Sequence, residues 1–178
     1  MSAIEGFRDS AAEFMGELAM HTIDVVLSDT PAGPGTSARV FSHPLGECGT
    51  AFFAAPALAK ACRRRFPRSL DGVRFLLPGE SSELRRALGS WFDSLKIRPK
   101  IVAEMDDIAL TKIAAEAGHG VFAAPDVIEN EVRKRYGVQL IGRAEEVRQR
   151  FYAISVERKI RHPAVLAISE AARKDIFR

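Results

Sequence analysis

The 178-residue sequence predicts an α/β fold with a largely parallel sheet. Short apolar runs, such as "DVVL", "VRFLL" and "VFAA", end in polar, Gly or Pro turns. Most are followed by a segment whose apolar residues recur at helical spacing. A content of 47% apolar and 28% charged residues is that of a globular chain able to bury a core.

The elements follow in order. Ala12, Phe14, Met15, Leu18 and Ala19 have helical spacing over residues 9 to 21, with Asp9 and Ser10 as caps. "TIDVVLSDTP" predicts a buried strand of Ile23, Val25, Val26 and Leu27 that ends in Ser28-Asp29-Thr30, with "PAGPG" as loop. Residues 38 to 55 read as two short extended pieces broken at Gly46 and Gly49, and Pro56 to Arg65 as a short helix. Phe75, Leu76 and Leu77 form the next strand, Pro78-Gly79 a turn, and Ser81 or Ser82 the cap of a helix that buries Leu84, Leu88, Trp91, Phe92 and Leu95. "PKIVAEMDD" is a strand running into a helix whose apolar face is Ile108, Ala109, Leu110, Ile113, Ala114 and Ala117. Then come a strand at 121 to 124 closed by Pro125, a helix from about 126 to 136, and two extended pieces, "GVQLIG" and the alternating "FYAISVERK". The chain closes on a helix with Pro163 in its first turn. Core positions expected between 55 and 148 are Phe75, Leu76, Leu77, Leu88, Trp91, Phe92, Ile101, Val121 and Phe122.

"GHGVF" is not a phosphate-cradling loop. Such loops follow a strand and open a helix, whereas here the helix comes first. Gly118 instead suits a left-handed helix stop, and Gly120 a close turn into the strand.

The net charge of +3 comes from 26 bases against 23 acids, and the tight basic run Arg63-Arg64-Arg65 reads as a solvated helix end. No DNA-reading helix, zinc-finger spacing or aromatic RNA-binding strand is visible, so this chain alone is not expected to bind an operator sequence-specifically. No run of about 20 apolar residues spans a bilayer, and the acidic start "MSAIEGFRDS" does not read as a signal peptide; a cytoplasmic location follows. Cys48 and Cys62 read as reduced thiols rather than a disulfide framework or zinc site. No cofactor, metal site or catalytic residue is expected: there is no Gly-x-Ser-x-Gly elbow, zinc-binding His pair or P-loop, and His21, His43, His119 and His162 lack ligand spacing. His119 reads as an exposed turn residue.

In parallel α/β sheets, ligands bind at the C-terminal ends of strands. That rule nominates "SDT" at 28 to 30, "PGESS" at 78 to 82, "EMDD" at 104 to 107 and "AAP" at 123 to 125, and within them Ser28, Asp29 and Thr30; Pro78, Gly79, Glu80, Ser81 and Ser82; Asp106; and Ala124 with Pro125. The carboxylates Asp29, Glu80 and Asp106 suit a hard cation. In the structural alternative, Asp29 stabilises a turn, Glu80 favours a helix N-terminus and Asp106 caps the next helix.

The segments "TIDVVLSD", "HPLGECGTAFFAAPALA", "DGVRFLLPGESSELRRALGSWFDSLKIRP", "MDDIALTKIAAEAGHGVFAAP" and "FYAISVERKIRHPAVLAIS" occur in one order and together resemble the effector-binding domain of LysR-type transcriptional regulators, over about residues 11 to 172. "LGECG", "LLPG", "WF" and "RHPAV" are most similar to the branch that activates sodium/proton antiporters. The resemblance implies a type II periplasmic-binding-protein-like fold of two α/β lobes joined by two crossover strands, with an effector in the cleft. It puts the crossovers at 48 to 54 and 150 to 155, with Cys48, Gly49, Phe151 and Tyr152 as hinge residues. Subdomain I is then 1 to 50 with 154 to 178, and crossovers plus subdomain II are 51 to 153.

The helix-turn-helix of such regulators is absent from this sequence, as are the first strand and helix of the first lobe, so that lobe is expected to be incomplete. The implied partners are a small-molecule or ion effector, with sodium suggested by the branch, and DNA through the helix-turn-helix, in a dimer or tetramer. The alternatives are a stand-alone small-molecule-binding protein and an enzyme on a similar two-lobed scaffold.

Overall fold

The computed structural model describes residues 11–33, 40–157 and 163–172. The elements are α1 (Ala11–Ala19), β1 (Val26–Ser28), β2 (Phe41–Ala54), α2 (Pro56–Arg63), β3 (Arg74–Pro78), α3 (Glu83–Leu95), β4 (Lys100–Met105), α4 (Ile108–Glu116), β5 (Phe122–Pro125), α5 (Glu129–Tyr136), β6 (Gln139–Ser155) and α6 (Pro163–Ala171). The chain divides into two compact units, Met1–Glu47 with Arg150–Arg178, and Cys48–Gln149.

In the second unit, β3 and β4 pair in parallel from Arg74↔Lys100 to Pro78↔Met105. The chain entering β5 joins β3 in parallel at Phe75↔Val121, through Leu76 N–H to Val121 O and Val121 N–H to Arg74 O, both 2.8 Å. β2 then runs antiparallel to β5, from Thr50↔Pro125 to Phe53↔Phe122. The C-terminal ends of β3, β4 and β5 therefore share one edge of the unit.

Alternation along these strands sends side chains to two faces. Phe52, Phe75, Leu77, Val121 and Ala123 pack with Leu84, Leu88 and Phe92 of α3, and with Ala59 and Cys62 of α2. Ala51, Phe53, Leu76, Phe122 and Ala124 pack on the other side with Ala115 of α4 and Val132 of α5. Burial on both faces is why these strands read as continuous apolar runs. Phe52 stacks on Trp91 with centroids 5.3 Å apart, and Phe75 meets Phe92 edge-on at 5.4 Å.

In the first unit, β1 pairs antiparallel with the end of β6, from Val26↔Ile154 to Ser28↔Tyr152. Leu18 and Ile154 form one cluster with Ile23 and Val26, while Leu45, Ala153 and Ala172 form another with Val25 and Phe151.

Several elements differ from the sequence expectation. Residues 41 to 54 are one strand, and so are 139 to 155. β2 and β6 are neighbours in the sheet, and the ladder between them outweighs the conformational cost of Gly46 and Gly49. β1 has only three residues, and Leu27 is exposed. α2 stops at Arg63, and Asp126–Ile128 is a 3₁₀ turn ahead of α5. Ile101 lies 40% exposed on β4, whose outer edge has no partner strand among the described residues, and Trp91 is only partly buried. The apolar face expected on α4 points outward, with Leu110 and Ile113 more than half exposed. The expected caps Asp9 and Ser10, and part of the loop after Thr30, lie outside the described residues.

Gly118 does adopt a left-handed φ of +82°, ending α4. A Cβ on Gly120 would lie 2.9 Å from Arg74 O, so the close approach of this turn to β3 requires glycine.

Candidate functional site

The tips of β3 and β4 are tied by Gly79 N–H donating to Met105 O at 3.1 Å. A Cβ on Gly79 would lie 1.7 Å from Oδ1 of Asp106, so this carboxylate lies directly over the turn and any side chain at 79 would displace it. Asp106 itself is exposed. It does not cap α4: that role belongs to Asp107, whose Oδ1 accepts from the N–H groups of Ala109 at 2.7 Å and Leu110 at 3.3 Å. Asp107 directly precedes the first helical residue in extended conformation, the placement a side-chain cap requires; Asp106 is one residue too early.

Ser82 occupies the cap position of α3, yet its side chain makes no capping bond; its N–H donates to Gly79 O at 3.1 Å. Glu80 and Ser81 are exposed at the turn. Sequence reasoning missed Arg85, which sits in the first turn of α3. Its Nη2 pairs with Glu104 at 2.9 Å and its Nη1 donates to Pro78 O at 3.4 Å. A base in a first turn, where the helix dipole favours acids, was the signal that could have flagged it.

At the β5 tip, Ala124 is buried and Pro125 lies opposite Thr50 of β2. A Cβ on neighbouring Gly49 would come within 2.7 Å of Oδ2 of Asp126, a second carboxylate seated against a glycine. Thr50 is fully buried; its hydroxyl donates to Val147 O at 2.7 Å and accepts from Gln149 Nε2 at 2.9 Å. This polar seam fixes β2 against β6, and neither Thr50, Asp126 nor Gln149 was singled out by sequence.

Burial, aided by the Asp126 carboxylate, pushes the Cys48 thiol up to about 11; Arg148 and the backbone N–H groups of Val127 and Asp126 act the other way. A thiol so held is protonated near neutral pH and does not suit a redox sensor. Burial also raises the Cys62 thiol.

In the first unit, Ser28 Oγ accepts from Thr30 N–H at 3.1 Å and lies 3.1 Å from Thr30 Oγ1, closing a tight turn after β1. Asp29 is engaged within the fold. Tyr152 lies opposite Ser28 on β6, and Phe151 packs on the Leu45 cluster. His43 Nε2 lies 3.1 Å from Ser155 Oγ, but Ser155 is buried and its hydroxyl also donates to Glu157 O, so the pair is not an exposed nucleophile and base. His119 is exposed, and His162 falls outside the described residues. Among the described residues, no group of three or more His, Cys, Asp or Glu side chains could hold a metal ion.

Residues 4–176 match the family model described as LysR substrate binding domain. The chain belongs to this family. It is 32% identical, over 171 residues, to the transcriptional activator protein NhaR of Escherichia coli and equally to that of Shigella flexneri. The alignment covers 96% of this chain but 56% of each relative, so the chain spans little more than half their length.

Among solved structures, the LysR family regulator CbnR superposes with a TM-score of 0.70 at 16% identity, covering 93% of this chain and 56% of that one. The effector-binding domain of QuiR, solved with shikimate, gives 0.65 at 17% identity, covering 94% and 78%. Vibrio fischeri DarR, solved with DNA, gives 0.67 at 16% identity, covering 97% and 57%. The fold is thus the α/β, type II periplasmic-binding-protein-like fold of LysR effector domains, and the chain is an effector-binding regulatory domain of that type. Among the described residues, no helix is long and apolar enough to cross a membrane.

Proposed function

We propose that this domain senses a small ligand at the C-terminal strand tips and serves a transcriptional activator. In the second unit the candidates are Pro78 to Ser82, Asp106, Ala124 and Pro125; in the first unit, considered by itself, they are Ser28, Asp29 and Thr30. Cys48, Gly49, Phe151 and Tyr152, on the long strands β2 and β6, would form the hinge. The observation that carries this reading is Asp106 on Gly79: an exposed carboxylate lying over the glycine turn where the tips of β3 and β4 meet. No catalytic role is assigned.

A small cation, tested as sodium, is the effector class that the exposed Asp106 carboxylate suits, since hard cations take carboxylate oxygens. The similarity to NhaR supports the activator role. A second reading, an organic anion, is favoured by Arg85, whose guanidinium lies at the β3 tip beside the N-terminus of α3. Operator binding would reside in a helix-turn-helix, in a dimeric or tetrameric cytoplasmic regulator.

Thermal melting in sodium, lithium and potassium chlorides at constant ionic strength, and with a panel of carboxylates, separates the two readings. A ligand that binds only the native state raises the midpoint as its concentration passes its Kd. The cation reading expects a sodium-specific rise that Asp106→Asn abolishes. Equal effects of sodium and potassium, with strong stabilisation by one carboxylate that Arg85→Gln removes, would establish the anion instead.

A further inference from the structure

Between Glu47 and Asp71 the sequence has no acidic residue, and within that stretch fall Lys60, Arg63, Arg64, Arg65 and Arg68. The fold gathers them at one end of α2. Ser69 turns back on the helix, its N–H donating to Arg65 O at 3.0 Å and its hydroxyl to Cys62 O at 2.5 Å, which holds Arg68 beside the helix end. Arg63 is committed: Nε and Nη2 donate to Leu140 O at 3.0 and 2.7 Å. Lys60, Arg64, Arg65 and Arg68 are exposed, and none has an ion pair among the described residues.

The bases at the end of α5 make the contrast. There Arg133 pairs with Glu129 at 3.3 Å and Arg135 lies over the Tyr136 ring, which leaves Lys134 alone without an ion pair or ring contact among the described residues. A helix C-terminus attracts cations through its dipole, but that effect is confined to the last turn and does not account for Arg65 and Arg68 beyond it.

Three of the four free cations are arginines, whose planar forks match phosphate oxygens. Phe66, the aromatic within the patch, packs its ring against Phe52 at 5.3 Å and Trp91 at 6.1 Å, leaving no platform on which an unpaired base could stack. Phosphate chemistry without stacking fits a double-stranded backbone read without regard to sequence. The geometry points to the end of α2, with Lys60, Arg64, Arg65 and Arg68, as a contact surface for the phosphate backbone of duplex DNA. This surface is independent of which effector the domain senses.

The test is fluorescence anisotropy of the 178-residue chain with a random-sequence duplex, the matching single strand and polyglutamate, at 50 and 200 mM salt. With four phosphate contacts, duplex affinity should fall by about 100-fold between those salts, since each contact contributes a slope of about 0.9 in log–log terms. The triple variant Arg64→Gln/Arg65→Gln/Arg68→Gln should lose most of the binding at 50 mM salt and reduce that slope to about 1. A charge-matched control, Lys100→Gln/Lys134→Gln/Arg135→Gln, should retain both. Unchanged melting of the triple variant excludes misfolding; if it melts early, the single variants Arg64→Gln and Arg65→Gln are each expected to lower the slope by about 1. Equal losses in the control, an unaltered slope in the triple or single variants, or tighter binding of polyglutamate than of duplex would overturn the proposal.

Discussion

Helices α3 and α4 stand in the same βα arrangement, each after a strand of one parallel pair, yet they are held in place differently. α3 buries Leu84, Leu88 and Phe92 against the sheet, and its cap residue Ser82 makes no side-chain bond. α4 buries Thr111 and Ala115, leaves Ile108, Leu110 and Ile113 exposed, and is anchored by two hydrogen bonds to Asp107. Its Thr111 hydroxyl donates back to Asp107 O at 2.9 Å, within the same first turn. One helix is held mainly by burial and the other largely by its N-terminus. An apolar stripe at helical spacing therefore identifies a helix without saying which side the fold covers.

The comparison can be broken most directly at Leu88. Leu88→Ala should cost about 2–5 kcal/mol in chemical denaturation, because the side chain is fully buried. A loss under about 1 kcal/mol, at the surface level, would show that α3 is not held by packing.

Asp107→Ala is expected to cost about 1 kcal/mol, whereas Ser82→Ala, with no capping bond to lose, should cost a few tenths. Equal costs would remove the distinction between the two N-termini.

On the outward face of α4, Ile113→Ser should change the stability of the isolated chain by less than about 0.5 kcal/mol. A large loss would mean that this residue is covered in solution.

The smallest effect concerns Lys112 on α4, whose ammonium sits 5.3 Å over the Tyr136 ring. Burial, then the nearby Arg135, lower its pKa below the usual lysine value. The native state therefore releases this proton at lower pH than the unfolded chain does. Its cost to stability is full below the lowered pKa and fades as the pH rises towards the unfolded value of 10.5. The stability difference between wild type and Lys112→Met should shift in favour of wild type as pH rises from 7 to 10.5. A difference independent of pH would show that the lysine is not desolvated.

Much of the fold was legible because the second unit buries both faces of its sheet. Phe75, Leu76 and Leu77, and Val121 to Ala124, form unbroken apolar runs that no other element explains as simply. Gly118 and Gly120 were legible because a helix stop and a close backbone approach each demand glycine. The two long strands were not, since Gly46 and Gly49 look like breaks until β6 is placed beside β2. In the candidate site, the strand-tip rule found Asp106 but could not find Arg85 or the Thr50–Gln149 seam. Those depend on partners up to 99 residues away in the chain.

By itself the sequence determined the family, the α/β class and the helices and short strands of the second unit, because periodicity, turn residues and motif order are local properties of the chain. Only the tertiary structure decided that Asp106 lies on Gly79 while Asp107 caps α4, that the apolar side of α4 faces outward, and that the bases closing α2 stand without acids. Those are questions of which surfaces meet. They are settled by strand register and by the choice of sheet face, which no local pattern encodes.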